Sequence, residues 1–145
     1  MSVPSEIPVK VQVKTIIHSG KSKEEFQLEG SGRYFIKNNA YFLQYEEIME
    51  DQRVKTIVKV AGNEALILRS GSLKMRLPFR LHTKQQGSYE IAAGTLDIET
   101  RANRINHSFS EDLRKGSVEL LYDLSVQGSR AGTYHLEIIF EEEEQ

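Results

Sequence analysis

The sequence predicts an all-β fold, a single antiparallel meander closed into a barrel of about eight to ten strands. Three observations predict it. Turn-forming residues recur about every 8–12 positions, at Ser19-Gly20-Lys21, Gly30-Ser31-Gly32, Asn38-Asn39, Gly62-Asn63, Ser70-Gly71-Ser72, Gln86-Gly87-Ser88, Lys115-Gly116-Ser117 and Gly128 to Gly132. Between these marks apolar and polar residues alternate with period two, which buries one face of a strand and wets the other. The intervals are also too short to hold crossover helices, so neighbours in sequence become neighbours in the sheet. Closing the sheet into a barrel removes its edges.

Each element follows from its own residues. Val9, Val11, Val13 and Ile17 mark the first strand. Tyr41, Leu43 and Tyr45 mark a later one, although Ala40 to Met49 contains no helix breaker and a helix competes there. Matching apolar faces across the short connection from Met49 to Arg53 sets Tyr45 opposite Thr56, and Glu46 opposite Lys55 on the outside. Val54, Val58 and Val60 continue the pattern. It is plainest from Leu73 to Lys84, where Leu73, Met75, Leu77, Phe79 and Leu81 alternate with Lys74, Arg76, Pro78, Arg80 and His82. From Tyr89, Ile91 and Ala93 the inward parity switches to Leu96 and Ile98, so Gly94 reads as a bulge or barrel corner. Glu111 to Lys115 has room for one helical turn. Val118, Leu120, Tyr122, Leu124 and Val126, then Tyr134, Leu136, Ile138 and Phe140, complete the meander.

Composition narrows the class. A chain of 145 residues and 16.6 kDa has room for one domain, residues 1–145, with residues 141–145 as an acidic, solvated tail. Zero cysteines leave no disulfide framework and no thiolate chemistry, so the fold stands on packing alone. There is no apolar run of about 20 residues, so no membrane helix is expected. Residues 1–8 lack a basic stretch followed by an apolar one, which leads to the expectation of a cytoplasmic protein. Setting aside the four glutamates at 141–144 leaves 17 acidic residues against 19 basic ones, a body near +2. That is far from the basic footprint of a dedicated nucleic-acid binder.

Tyr45-Glu46-Glu47, Lys55-Thr56, Arg69-Ser70-Gly71 followed by Met75-Arg76, Tyr89, Gly94 to Thr100, Tyr122-Asp123-Leu124, Gly128 and Gly132 together carry a resemblance. The chain is similar, over nearly its whole length, to the YwiB-like family of small bacterial proteins. The resemblance implies a calycin-type barrel, shaped like the lipocalins and fatty-acid-binding proteins, in a bacterial cytoplasm. It implies no activity, because the matching motifs are structural punctuation.

The chemistry-bearing residues are sparse. No phosphate loop, dinucleotide fingerprint or nucleophile elbow is present, so no catalytic residue and no cofactor is expected and an enzyme is the third reading. His18, His82, His107 and His135 form no pair at metal-ligand spacing, so no metal is expected. Lys74, Arg76, Arg80, His82 and Lys84 make an outward basic stripe, with Lys55, Lys59 and Arg69 expected beside it. No aromatic residue interleaves with the stripe, so charge that protects an exposed strand is the simpler reading and nucleic acid is not an expected partner. Ile16, Phe35, Phe42, Ile57, Leu121 and Ile139 fall on the outer parity and could be covered by a second subunit in a homodimer.

The inward list is the most informative. All six tyrosines, 34, 41, 45, 89, 122 and 134, fall on it with Thr15, Thr56, Thr83, Thr100 and His107. Buried hydroxyls need partners, and a small barrel is either filled by side chains or hollow enough for one small ligand. The expected function is binding of a small amphipathic molecule in the interior. Tyr34, Tyr45, Thr56, Met75, Phe79, Tyr89, His107 and Tyr122 are the candidate ligand residues. The alternative is a protein or nucleic-acid interaction module that uses the outer face of 73–84 or the apolar outer patch.

Overall fold

The computed structural model of the chain describes residues 6–49 and 52–143. Ten strands follow one another: β1 (Ile7–Ser19), β2 (Ser22–Lys37), β3 (Ala40–Met49), β4 (Gln52–Ala61), β5 (Glu64–Gly71), β6 (Lys74–Arg80), β7 (Lys84–Ile91), β8 (Gly94–Ser110), β9 (Lys115–Val126) and β10 (Ser129–Glu142). Each pairs antiparallel with its sequence neighbours, and β1 pairs with β10 to close the barrel. No helix occurs among the described residues: Ala40 to Met49 is β3, and residues 111–114 form a turn. The β3–β4 register is Tyr45 opposite Thr56 and Glu46 opposite Lys55, as face matching predicts.

Several punctuation marks turn out to be something else. Gly30 and Gly32 are not a turn but lie inside the 16-residue β2. An alanine Cβ at Gly32 would fall on the Gln44 carbonyl, and one at Gly30 would sit 2.8 Å from the Glu46 oxygen. These glycines admit the β3 backbone where β2 crosses it. Gly87 likewise lies within β7. Gly94 is no bulge: it opens β8 just past a hairpin turn and pairs with Ile91, so the parity switch is the hairpin itself. The irregularities in register fall instead between Ala102 and Arg104 and between Arg130 and Gly132. The expected tail is also shorter, since β10 includes Glu141 and Glu142, which pair with Lys115 and Arg114.

The stretch from Leu73 to Lys84 is broken rather than continuous. β6 ends at Arg80, His82 takes a left-handed backbone conformation, and Thr83 is exposed instead of inward. β6 pairs with β7 only at Lys74, Met75 and Arg76, then leans on β8. The Thr100 hydroxyl donates to the Pro78 carbonyl, and the His82 amide donates to the Ala102 carbonyl at 2.7 Å. Pro78 has no N–H with which to continue the ladder, so a side-chain donor from β8 secures the strand.

The β2–β3 seam is short. β2 meets β3 only from Gly32 to Lys37, whereas Ser22 to Ser31 has a ladder partner, among the described residues, only on β1. The core runs through the barrel on the inward parity of every strand, with Val9, Val11, Leu120, Ala102 and Ile138 fully buried. One mouth carries the β1–β2, β5–β6, β7–β8 and β9–β10 connections; the other carries the β2–β3, β4–β5, β6–β7 and β8–β9 connections.

Candidate functional site

The two ends of the interior differ. Toward the β8–β9 end the barrel is solid. The Tyr34 ring lies 4.7 Å from both Phe109 and Phe140, and Tyr41 stacks on His107 at 3.8 Å. The Tyr34 hydroxyl and His107 Nε2 are hydrogen-bonded at 3.0 Å. Burial raises the Tyr34 pKa, with a smaller contribution from neighbouring Tyr41, and burial lowers that of His107, so the pair is neutral near pH 7. Tyr34 and His107 are therefore bonded to each other within an aromatic cluster at this end.

Toward the β5–β6 mouth the barrel is hollow. A cavity of about 210 Å³ is lined by Val13, Thr15, Leu28, Tyr45, Glu47, Thr56, Ile67, Arg69, Met75, Leu77, Tyr122, Leu124, Tyr134 and Leu136. Four of the eight candidate residues are there: Tyr45, Thr56, Met75 and Tyr122. Phe79 is buried behind them with its ring 4.6 Å from that of Tyr122. Tyr89 is half-buried beside its register partner Met75 and packs on the core without lining the cavity. Phe26 and Glu24 face the same mouth opposite Thr15 and Ile17, and Phe26 is 54% exposed.

The residues missed from sequence are the charged ones. Alternation through Tyr41, Leu43 and Tyr45 carries Glu47 inward, and alternation through Ala65 and Ile67 carries Arg69 inward. Arg69 thus lines the cavity and does not belong to the outer basic stripe. Its Nη2 donates to Glu47 Oε2 at 2.5 Å, and the Thr56 hydroxyl donates to Glu47 Oε1 at 3.4 Å. The Glu47 side chain is 4% exposed and that of Arg69 25%. A buried carboxylate is tolerated only with such partners.

Burial raises the Tyr45 pKa, and the Glu47 charge adds to the effect against the opposing pull of Arg69 and Thr56. Burial raises that of Tyr122 as well, with neighbouring Tyr134 second. Tyr134, stacked 5.4 Å from Tyr122, is raised by burial and then by Glu24. All three phenols are therefore protonated donors at neutral pH. The Tyr122 hydroxyl makes no side-chain hydrogen bond among the described residues, yet no buried side-chain oxygen or nitrogen lacks a partner. Its oxygen is accordingly open to the cavity.

The outer wall offers less. Most of the basic stripe is matched across strands, Lys74 with Glu90, Arg80 with Glu64 and Lys84 with Glu99 at 3.4–4.0 Å. Of the six outward apolar residues only Ile139 is well exposed, and Phe35 stacks on Phe42 at 5.0 Å with the Lys59 ammonium over Phe42. A wider groove of about 410 Å³ crosses β10, β1 and β2, lined mainly by polar side chains such as Gln12, Lys14, Gln27, Glu29 and Glu137. Glu119, His135 and Glu137 bring three donor atoms within 4.8 Å of one another. Glu119 is already bonded to Asn106 and Arg104 as well as His135, and these contacts, Asn106 first, hold its carboxyl below the usual range.

Closure, strand order and one hollow end define a β-barrel with an accessible interior. Residues 11–138 match the family described as domain of unknown function DUF1934, and the chain belongs to that family. It is 30% identical, over 94% of its own length and 94% of the relative's, to the uncharacterized beta-barrel protein YwiB of Bacillus subtilis (strain 168). The crystal structure of the ywiB protein from Bacillus subtilis superposes with a TM-score of 0.85 at 29% identity, covering 96% of this chain and 94% of that one.

Proposed function

We propose that the protein binds a small amphipathic molecule in the hollow half of its barrel. The observation that carries this reading is the juxtaposition of an open cavity of about 210 Å³ with an inward-facing Glu47–Arg69 pair, in a barrel whose other end is packed solid. Aliphatic walls supply burial energy, and a few convergent polar groups supply orientation, which is the usual division of labour in a ligand site. The size sets a limit: pockets for drug-sized ligands run to about 300–1,000 Å³, so the guest is smaller or projects from the mouth past Phe26. The surface reading has less support, because glutamates offset most of the basic stripe.

The test is a titration of six-carbon amphiphiles with different head groups, followed by backbone amide chemical shifts. Saturable shifts confined to residues around Tyr45, Met75, Tyr122 and Leu136, abolished by Leu28→Trp in a protein that remains folded, are expected. Saturation without loss in the filled variant, or no saturable shift with any head group, would overturn the proposal.

A further inference from the structure

We infer that the group recognised in this cavity is a carboxylate, presented to the unoccupied N–H groups of Arg69; this rests on the binding reading above. A guanidinium has five N–H donors, and among the described residues that of Arg69 makes one hydrogen bond, to Glu47. Glu47 is already engaged at both oxygens, Oε2 by Arg69 and Oε1 by Thr56. The ion pair therefore shows the cavity its donor side. The relative exposure agrees: at 25% against 4%, an incoming molecule meets the guanidinium before the carboxylate.

The phenols point the same way. Tyr122 and Tyr134 line the same cavity and are held protonated by burial, with the Arg69 charge acting on Tyr122. A wall built of donors selects an acceptor, and a charge-assisted hydrogen bond is about twice as strong as a neutral one. An ammonium guest would find the carboxylate taken and a like charge beside it. A phosphate-like dianion would bring a second negative charge toward Glu47, which is fixed nearby. A monocarboxylate adds one negative charge where a dianion adds two, and it meets the guanidinium at N–H groups that Glu47 leaves free. Glu24 also faces this mouth from β2, but it is exposed and screened by solvent. The about 210 Å³ of space holds a short acid, with its tail along Leu28, Met75 and Leu136.

The experiment compares hexanoate, hexanol and hexylamine by calorimetry and amide shifts at pH 7 with the full chain. Hexanoate is expected to bind about tenfold or more tightly than hexanol, with hexylamine weakest. Arg69→Gln is expected to erase the preference for the acid while keeping hexanol binding. If that variant leaves Glu47 unpaired and fails to fold, Glu47→Gln combined with Arg69→Gln removes both charges and gives the same readout. Hexanol or hexylamine binding as tightly as hexanoate to the wild type would overturn the carboxylate assignment and leave the binding reading standing, as would an acid preference that survives loss of Arg69. Absence of binding by all three would end both.

Discussion

Replacing Arg69 with methionine tests the interior pair through stability. Methionine keeps most of the length and the apolar stem of the arginine but removes the positive charge that neutralises Glu47. Breaking a buried ion pair by removing one partner costs about 3–5 kcal/mol. The Glu47 side chain is nearly inaccessible at 4%, but Arg69 is 25% exposed and water in the cavity can reach the space it vacates. Thr56 also remains as one donor to Glu47. A discounted loss of about 2–4 kcal/mol follows. At this chain length each kcal/mol lowers Tm by about 3 °C, so the midpoint should fall about 6–12 °C. Urea unfolding followed by circular dichroism, with an unchanged m value, is the assay. Adding Glu47→Gln to the same protein should recover at least half of the loss, because the orphaned charge is then gone. A single variant within about 0.5 kcal/mol of wild type, or a double variant no better than the single, would refute the reasoning.

Other outcomes follow from the same geometry. Gly32→Ala sets a methyl group on the Gln44 carbonyl, so β2 and β3 must separate; a loss above about 2 kcal/mol in urea unfolding is expected, and a loss under 1 would show that the seam yields easily. Tyr34→Phe removes the bond to His107 and should cost about 1 kcal/mol by the same assay. The folded pKa of His107 lies below its unfolded value near 6.5. Its neutral form therefore contributes fully above that pH, and the contribution is lost as pH falls below it toward the folded value; His107→Gln should flatten the stability curve on the acid side of about pH 6.5. Glu64→Ala, which frees Arg80, should change stability by less than about 0.5 kcal/mol, as exposed pairs do.

Period-two patterning reports the inward face wherever that face is apolar, and it located the barrel, the β3–β4 register and the tyrosine-rich interior. It failed where the inward residue is charged. Glu47 and Arg69 continue the inward alternation of Tyr45 and Ile67, yet a lone charge on a strand reads as solvent-facing. Only their mutual neutralisation makes burial tolerable, and that depends on two strands lying next but one in the barrel. Glycine was ambiguous for a related reason: absence of a Cβ serves a tight turn and a close backbone approach equally, so Gly30, Gly32 and Gly87 read as turns and proved to be points of contact between strands. The division into a solid and a hollow end was not legible. It arises because Tyr34, Tyr41, His107, Phe109 and Phe140, from four strands and spread over more than a hundred positions, stack at one end while aliphatic residues and an ion pair face the other.

The β1–β10 seam makes the backbone a ring in which every other junction joins consecutive strands. Val9 faces Glu142, and the Glu143 amide reaches the Pro8 carbonyl at 2.8 Å, so the two ends of the described chain lie side by side. Nine junctions can form by zipping locally, whereas the last requires the whole meander to curl until its first and tenth strands meet. That final junction is long, running from Val9 to His18, and so gives a large return for a single ring-closure event. A permuted chain cut between β2 and β3 would have to close through Gly32 to Lys37 alone. The natural order of strands thus gives the long-range step to a long ladder and leaves short ones, β2–β3 and β6–β7 among them, to hairpins.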